Sequence, residues 1–140
     1  MAITQALCNS FKQELLQGLH DLDGHTLKMA LFTSSATLDA TTTAYSTTNE
    51  SSGTGYTAGG ATLANVAVSL SGTTAFVDFD NVSFTSATIS DAAGALIYNS
   101  SASNRAIAVI DFGATKSVSS GTLTITLPTA SATTALIRVS

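Results

Sequence analysis

Thr26-Leu27-Lys28-Met29-Ala30-Leu31 is the stretch in which the chain changes period. Leu27, Met29 and Leu31 alternate with Thr26, Lys28 and Ala30, and a repeat of two places successive side chains on opposite faces of a strand. The same alternation returns in Val66, Val68 and Leu70, and again in Leu123, Ile125 and Leu127. Further apolar runs lie at 74–79, 82–89, 95–98, 105–112 and 134–139. Between the runs stand the turn formers Ser71-Gly72, Asp80-Asn81, Asp91-Ala92-Ala93-Gly94, Asn99 to Asn104 and Ser119-Ser120-Gly121,. Short strands, short links and one solvated face predict antiparallel pairing, and no second helical segment is available to cross over a parallel sheet. The expected fold is all-β with one N-terminal α-helix: a two-sheet antiparallel jelly-roll sandwich of about eight strands, with an eight-stranded barrel as the alternative.

Upstream of Thr26 the apolar spacing is four and three, in Ile3, Leu7, Phe11, Leu15, Leu19 and Leu22. On a helix these side chains gather on one side, so the spacing predicts an amphipathic helix over 4–22. Asp23-Gly24 supplies the left-handed residue that commonly stops a helix, and His20 falls in the last turn, where the helix dipole favours a cation. The apolar side either packs on its own domain or docks on a second subunit, which makes Ile3, Leu7 and Phe11 candidate contact residues. A chain of 140 residues is one domain with enough length to bury a core without staples,. The helix is followed by a β-sandwich over 26–140, interrupted by a long loop over 34–60. The loop is rich in Ser and Thr and carries two tyrosines, Tyr45 and Tyr56. Loops of this length are usually functional or disordered, and a tyrosine pairs a broad ring with a hydroxyl. The two rings are therefore either contact residues or rings lying back on the domain. As contact residues, their exchange for serine weakens binding and leaves thermal stability nearly unchanged.

Reactive side chains are few: His20, His25 and the single Cys8 all precede the β-region. One cysteine forms no intramolecular disulfide, and no Cys/His spacing matches a zinc site, so Cys8 reads as a small buried apolar residue. The cluster His20-Asp21-Leu22-Asp23-Gly24-His25 puts two histidines five apart across a helix end, where they share no face, and no metal is expected. Asp78, Asp80 and Asn81 offer too few oxygens for calcium. Gly53-Thr54-Gly55-Tyr56-Thr57-Ala58-Gly59-Gly60 has the glycine density of a phosphate loop, yet a strand follows where the mechanism needs a helix N-terminus. No serine lies in a nucleophile-elbow pattern. The chain is expected to be no enzyme, with no catalytic residue, metal or cofactor. Its net charge is −4 with five scattered Lys/Arg, which argues against a nucleic-acid partner. No apolar run reaches the length of a membrane span and no signal-peptide pattern opens the chain, so no membrane partner is expected and the protein reads as soluble and unexported. Charged residues make up 10% of the chain against 23 Thr and 19 Ser; such a hydroxyl surface repels itself weakly and tolerates dense packing beside neighbours.

Five segments together carry a resemblance: Ala30-Leu31-Phe32-Thr33-Ser34-Ser35-Ala36-Thr37-Leu38, Tyr45-Ser46-Thr47-Thr48-Asn49-Glu50, the glycine-rich run from Gly53 to Gly60, Ala95-Leu96-Ile97-Tyr98-Asn99-Ser100-Ser101, and Asn104 to Gly113. From Met29 to Val139 the chain resembles the small cement (decoration) proteins of tailed bacteriophage heads, those of short-tailed phages whose cement protein is a jelly roll. The resemblance implies a virion protein present in many copies on the outer surface of the capsid, as homodimers, clamping major capsid protein subunits together. It carries no catalytic residue. The alternative role is a glycan-binding or adhesive module of a phage tail fibre, because jelly rolls also host lectins.

Overall fold

The computed structural model describes residues 2–139. Strands take up 49% of the chain and helix 6%, so the fold is mainly β with one short N-terminal helix. In chain order the elements are β1 (Ala6–Leu7), α1 (Asn9–Leu16), β2 (Leu27–Phe32), β3 (Gly53–Thr54), β4 (Ala61–Thr62), β5 (Ala67–Ser71), β6 (Thr74–Asp78), β7 (Val82–Asn99), β8 (Arg105–Ile125) and β9 (Ile137–Val139). They form two antiparallel sheets, consistent with an all-β sandwich. The large sheet runs β1-β8-β7-β2-β4, with β3 added to β7, and the small sheet runs β5-β6-β9.

The frame is one long hairpin. β7 and β8 pair from Val82↔Ile125 to Asn99↔Arg105, so runs expected as four separate strands merge into two. The presumed turns Asp91-Ala92-Ala93-Gly94 and Ser119-Ser120-Gly121 lie inside these strands, at register shifts. Turn formers also make bulges, where one residue takes a left-handed conformation and the strand bends. Ser86 (φ 48°) and Ser120 (φ 50°) do this on the two facing strands. Gly94 marks a close approach instead: a Cβ there would stand 2.6 Å from the Ile110 carbonyl oxygen.

The predicted helix over 4–22 is corrected to eight residues, Asn9–Leu16. A spacing of four is even, so Ile3 and Leu7 fit a strand face as well as a helix face, and the sheet edge takes them. Ala6 and Leu7 pair with Val109 and Ala108, and Ile3 bridges Leu38 in parallel. The helix ends at Gly18, not at Gly24. Gly18 has φ +73°, and Leu19 N–H donates to the Glu14 carbonyl while Gly18 N–H donates to that of Leu15, the paired closure of a Schellman motif.

The centre of the large sheet is covered on both sides. From Gly94 to Asn99 every residue of β7 is buried, which is why this part of the sequence is apolar without alternation. On one side Asn99 meets His20. On the other, Tyr98 stacks on Tyr45 of the long loop at 4.5 Å. The 34–60 loop is therefore a layer of the fold. Its backbone ties to the end of β2 through Thr33 N–H to Asn49 O and Ser51 N–H to Leu31 O, and to the start of β8 through Tyr45 N–H to Asn104 O and Ala106 N–H to Thr43 O.

Candidate functional site: an uncovered apolar surface

The small sheet overhangs the core. Register places Val68 opposite Val77, Leu70 opposite Ala75, Ala75 opposite Val139 and Val77 opposite Ile137, so these six side chains share one face. Val77 and Ile137 are buried, whereas Val68, Leu70 and Val139 are 46%, 73% and 56% exposed. Next to this overhang lies α1, where Leu16 is 92% exposed; Leu15, Leu16 and Val139 line one groove, and Leu15, Val68, Ala75 and Val139 line its neighbour. At roughly 30 Å² per methylene, the exposed fractions of Leu16, Val68, Leu70 and Val139 amount to on the order of 300 Å² of apolar side chain. That is the size of the largest apolar patch on a typical monomer, and such patches commonly serve as contact sites. All five residues of β5 are exposed, and none is charged.

The contact residues expected from sequence separate into two groups. Leu7 is half-buried and lines the groove beside Leu15 and Leu16. Ile3 is half-buried, with its methyl carbons 2.8 Å from where a Gly94 Cβ would stand. Phe11, Tyr45 and Tyr56 belong to the fold instead. Phe11 is fully buried and meets His20 edge-on at 5.0 Å. Tyr56 is buried against Phe84 at 5.3 Å, and its hydroxyl donates to Glu50 Oε1 at 2.6 Å while accepting from Leu31 N–H at 2.9 Å. Tyr45 donates to Glu50 Oε2 at 2.7 Å, Gly59 N–H donates to Oε1 at 2.7 Å, and Tyr98 donates to the Gly59 carbonyl at 2.6 Å. One carboxylate thus holds three donors and ties the loop to the sheet. The glycines of the phosphate-loop-like run serve this docking: Gly60 has φ +83° and lies so close to β2 that a Cβ would collide with the Met29 carbonyl oxygen. Burial first, and the hydrogen bond each donates to Glu50 second, push the Tyr45 and Tyr56 hydroxyls well above their ordinary value of 10.0.

A second polar cluster lies under the helix. His20 Nε2 is 2.9 Å from Glu14 Oε1, Arg105 Nη1 donates to Glu14 Oε2 at 3.2 Å, and Asn99 Nδ2 reaches the Nδ1 atoms of His20 and His25 at 3.1 and 2.9 Å. The two histidines five apart in sequence meet through Asn99, which sequence spacing gave no means of finding. Among the described residues no three His, Cys, Asp or Glu side chains group as a metal ion would require. Asp80 accepts from Asn65 Nδ2 at 2.7 Å, and Asp78 is an exposed residue of β6.

Cys8 is fully buried, and its thiol is pushed up to about 11, by burial first and then by Asp39 and Glu14. A thiol reagent at pH 8 is therefore expected to leave the native protein unlabelled and to react at the rate of unfolding. Labelling in seconds under native conditions would show that the β1–α1 junction opens freely. No protein-family model, curated protein or solved structure matches the chain.

Proposed function

We propose that this protein is a structural virion component, a cement protein that sits on the outer surface of a bacteriophage capsid, as homodimers, and stabilises contacts between major capsid protein subunits. The observation that carries the reading is the apolar surface of α1 and the small sheet, which no other described residue covers. The resemblance in sequence supplies the capsid as the partner. A surface low in charge suits close placement of many copies, and a clamp that binds only the assembled shell stabilises it by mass action, by about 2.7 kcal/mol per site at a hundredfold excess over Kd. The reading assigns no catalytic residue and no cofactor.

The test adds purified protein to undecorated, DNA-filled heads and follows bound protein and genome release against temperature. Heads with protein are expected to release their genome at higher temperature. Leu16→Ser and Leu70→Ser should each weaken binding about tenfold or more while the melting temperature of the free protein stays nearly constant, because both side chains are already in water. Absence of bound protein would overturn the reading.

A second reading, the glycan-binding module, is favoured by a separate 390 Å³ cleft where half-buried Phe112 stands beside Asp111, Lys116, Gln5 and Thr124. Most of its lining is apolar, with Ile110, Leu123, Ile125 and Leu136 beside the ring, and an apolar cleft with a few polar groups at its margin suits the ring face and hydroxyls of a sugar. Binding to bacterial surface glycan in place of heads, abolished by Phe112→Ala, would decide for it.

A further inference from the structure

The groove between α1 and β9 has a volume of 390 Å³ and is lined by Leu7, Phe11, Lys12, Leu15, Leu16, Ile137, Arg138 and Val139. Ile137 and Val139 point to one face of the strand and Arg138 to the other, so a groove that touches all three runs along the edge of β9, not over its face. Among the described residues that edge is free: β9 ends the small sheet and pairs with β6 alone. A free edge beside an apolar groove is the arrangement in which an extended segment adds as a strand, its backbone bonding to the edge and alternate side chains filling the groove.

Charge narrows the occupant. The protein carries −4 overall and only five Lys/Arg, yet two of the five, Lys12 and Arg138, line the two walls of this groove and no Asp or Glu does. Among the described residues neither is in an ion pair, although Arg138 Nη1 donates to the Ala132 carbonyl at 3.2 Å; the salt bridges there are those of Glu14 with His20 and Arg105. The acidic residue nearest in sequence on α1, Glu14, is held by those two partners and is unavailable to neutralise them. The groove is thus a local reversal of the sign of the whole molecule.

We infer that the α1–β9 groove receives an extended peptide segment of a partner protein, one that alternates apolar side chains, seated among Leu15, Leu16 and Val139, with carboxylates that meet Lys12 and Arg138. The inference rests on the proposed capsid role only for which protein owns the segment. Charge complementarity here selects the partner and its register more than it adds affinity.

The test uses the full-length protein labelled with ¹⁵N and three acetylated hexapeptides, alternating Leu with Glu, Leu with Lys, and Ser with Glu. The Leu/Glu peptide is expected to bind at least tenfold more tightly than either of the others, with shifts confined to the amides of α1 and β9. In the double variant Lys12→Glu, Arg138→Glu, the preference should turn to the Leu/Lys peptide; unchanged circular dichroism establishes that the variant is folded. Equal binding of the Leu/Glu and Leu/Lys peptides, shifts at the Phe112 cleft, or a wild-type dimer that closes the groove to all three would overturn the inference. The same double variant on undecorated heads separates the two readings. Wild-type-like binding of the variant overturns the groove and leaves the cement reading standing. Peptide discrimination by a wild-type protein that ignores heads does the reverse.

Discussion

Tyr56→Ser is expected to destabilise the protein by about 3–5 kcal/mol, the cost of emptying a buried aromatic site, and to lower the melting temperature by on the order of 10 °C. The ring is buried against Phe84, and its hydroxyl bridges the Leu31 amide and Glu50, so truncation leaves a cavity together with an unpaired amide and a carboxylate short of one donor. This reverses the expectation from sequence that the loop tyrosines can be changed at little cost to stability. Glu50→Ala should produce a loss of similar size, because it deprives Tyr45, Tyr56 and Gly59 of one shared acceptor. A melting curve for Tyr56→Ser within 2 °C of wild type would show that the loop is not part of the folding unit. The same cluster sets an alkaline limit. With the tyrosine hydroxyls raised in the folded state by burial and by Glu50, the unfolded chain loses its phenolic protons first. The contribution is whole below the unfolded value of about 10 and declines as pH rises through it. Glu50→Gln, which removes the charge that adds to the shift, should weaken that pH dependence.

The second large effect is expected at Asn99. Its orientation follows from its neighbours: Oδ1 accepts from Ser101 N–H at 3.0 Å, and because a backbone amide can only donate, the Nδ2 group must face the two imidazoles. Both hydrogens of Nδ2 are then donated, to Nδ1 of His20 and of His25, and each ring carries its proton on Nε2, which in His20 points to Glu14. Asn99→Leu fills a similar volume but leaves buried His20 Nδ1 without a donor and Ser101 N–H without an acceptor. The expected loss is about 3 kcal/mol in urea-induced unfolding. Asn99→Asp should be no better, since it sets a third acceptor against two imidazole acceptors. A loss under 0.5 kcal/mol would mean that apolar packing around Phe11 holds the helix end by itself.

The strand pattern was legible because alternation is a local property. Leu27-Lys28-Met29 and Val68-Ser69-Leu70 face two ways whatever they later pack against. The merging of four runs into β7 and β8 was not legible, because Ser119-Ser120-Gly121 serves a turn and a bulge equally well and Gly94 a turn and a close approach, and only the facing strand decides. The helix is shorter than its spacing implies for the same reason: Ile3 and Leu7 satisfy both a period of four and a period of two, and the edge of β8 decides between them. Gly18, followed by an apolar residue, is the sequence signal that matches its end,.

The sequence by itself determined the class of fold, the presence of one helix near the N-terminus, the scarcity of reactive groups and the low charge, since all of these follow from residue type and spacing along the chain; the helix's length did not follow from them. Tertiary structure alone decided which apolar faces are covered. Tyr56, a candidate contact residue by sequence, is buried in a loop pinned by Glu50, whereas Leu70, an ordinary strand residue by its alternation, stands exposed on the small sheet. Burial is set by whatever comes to rest on a residue from elsewhere in the chain, and Glu14 meeting Arg105, or Lys12 and Arg138 lining one groove, has no counterpart in local spacing.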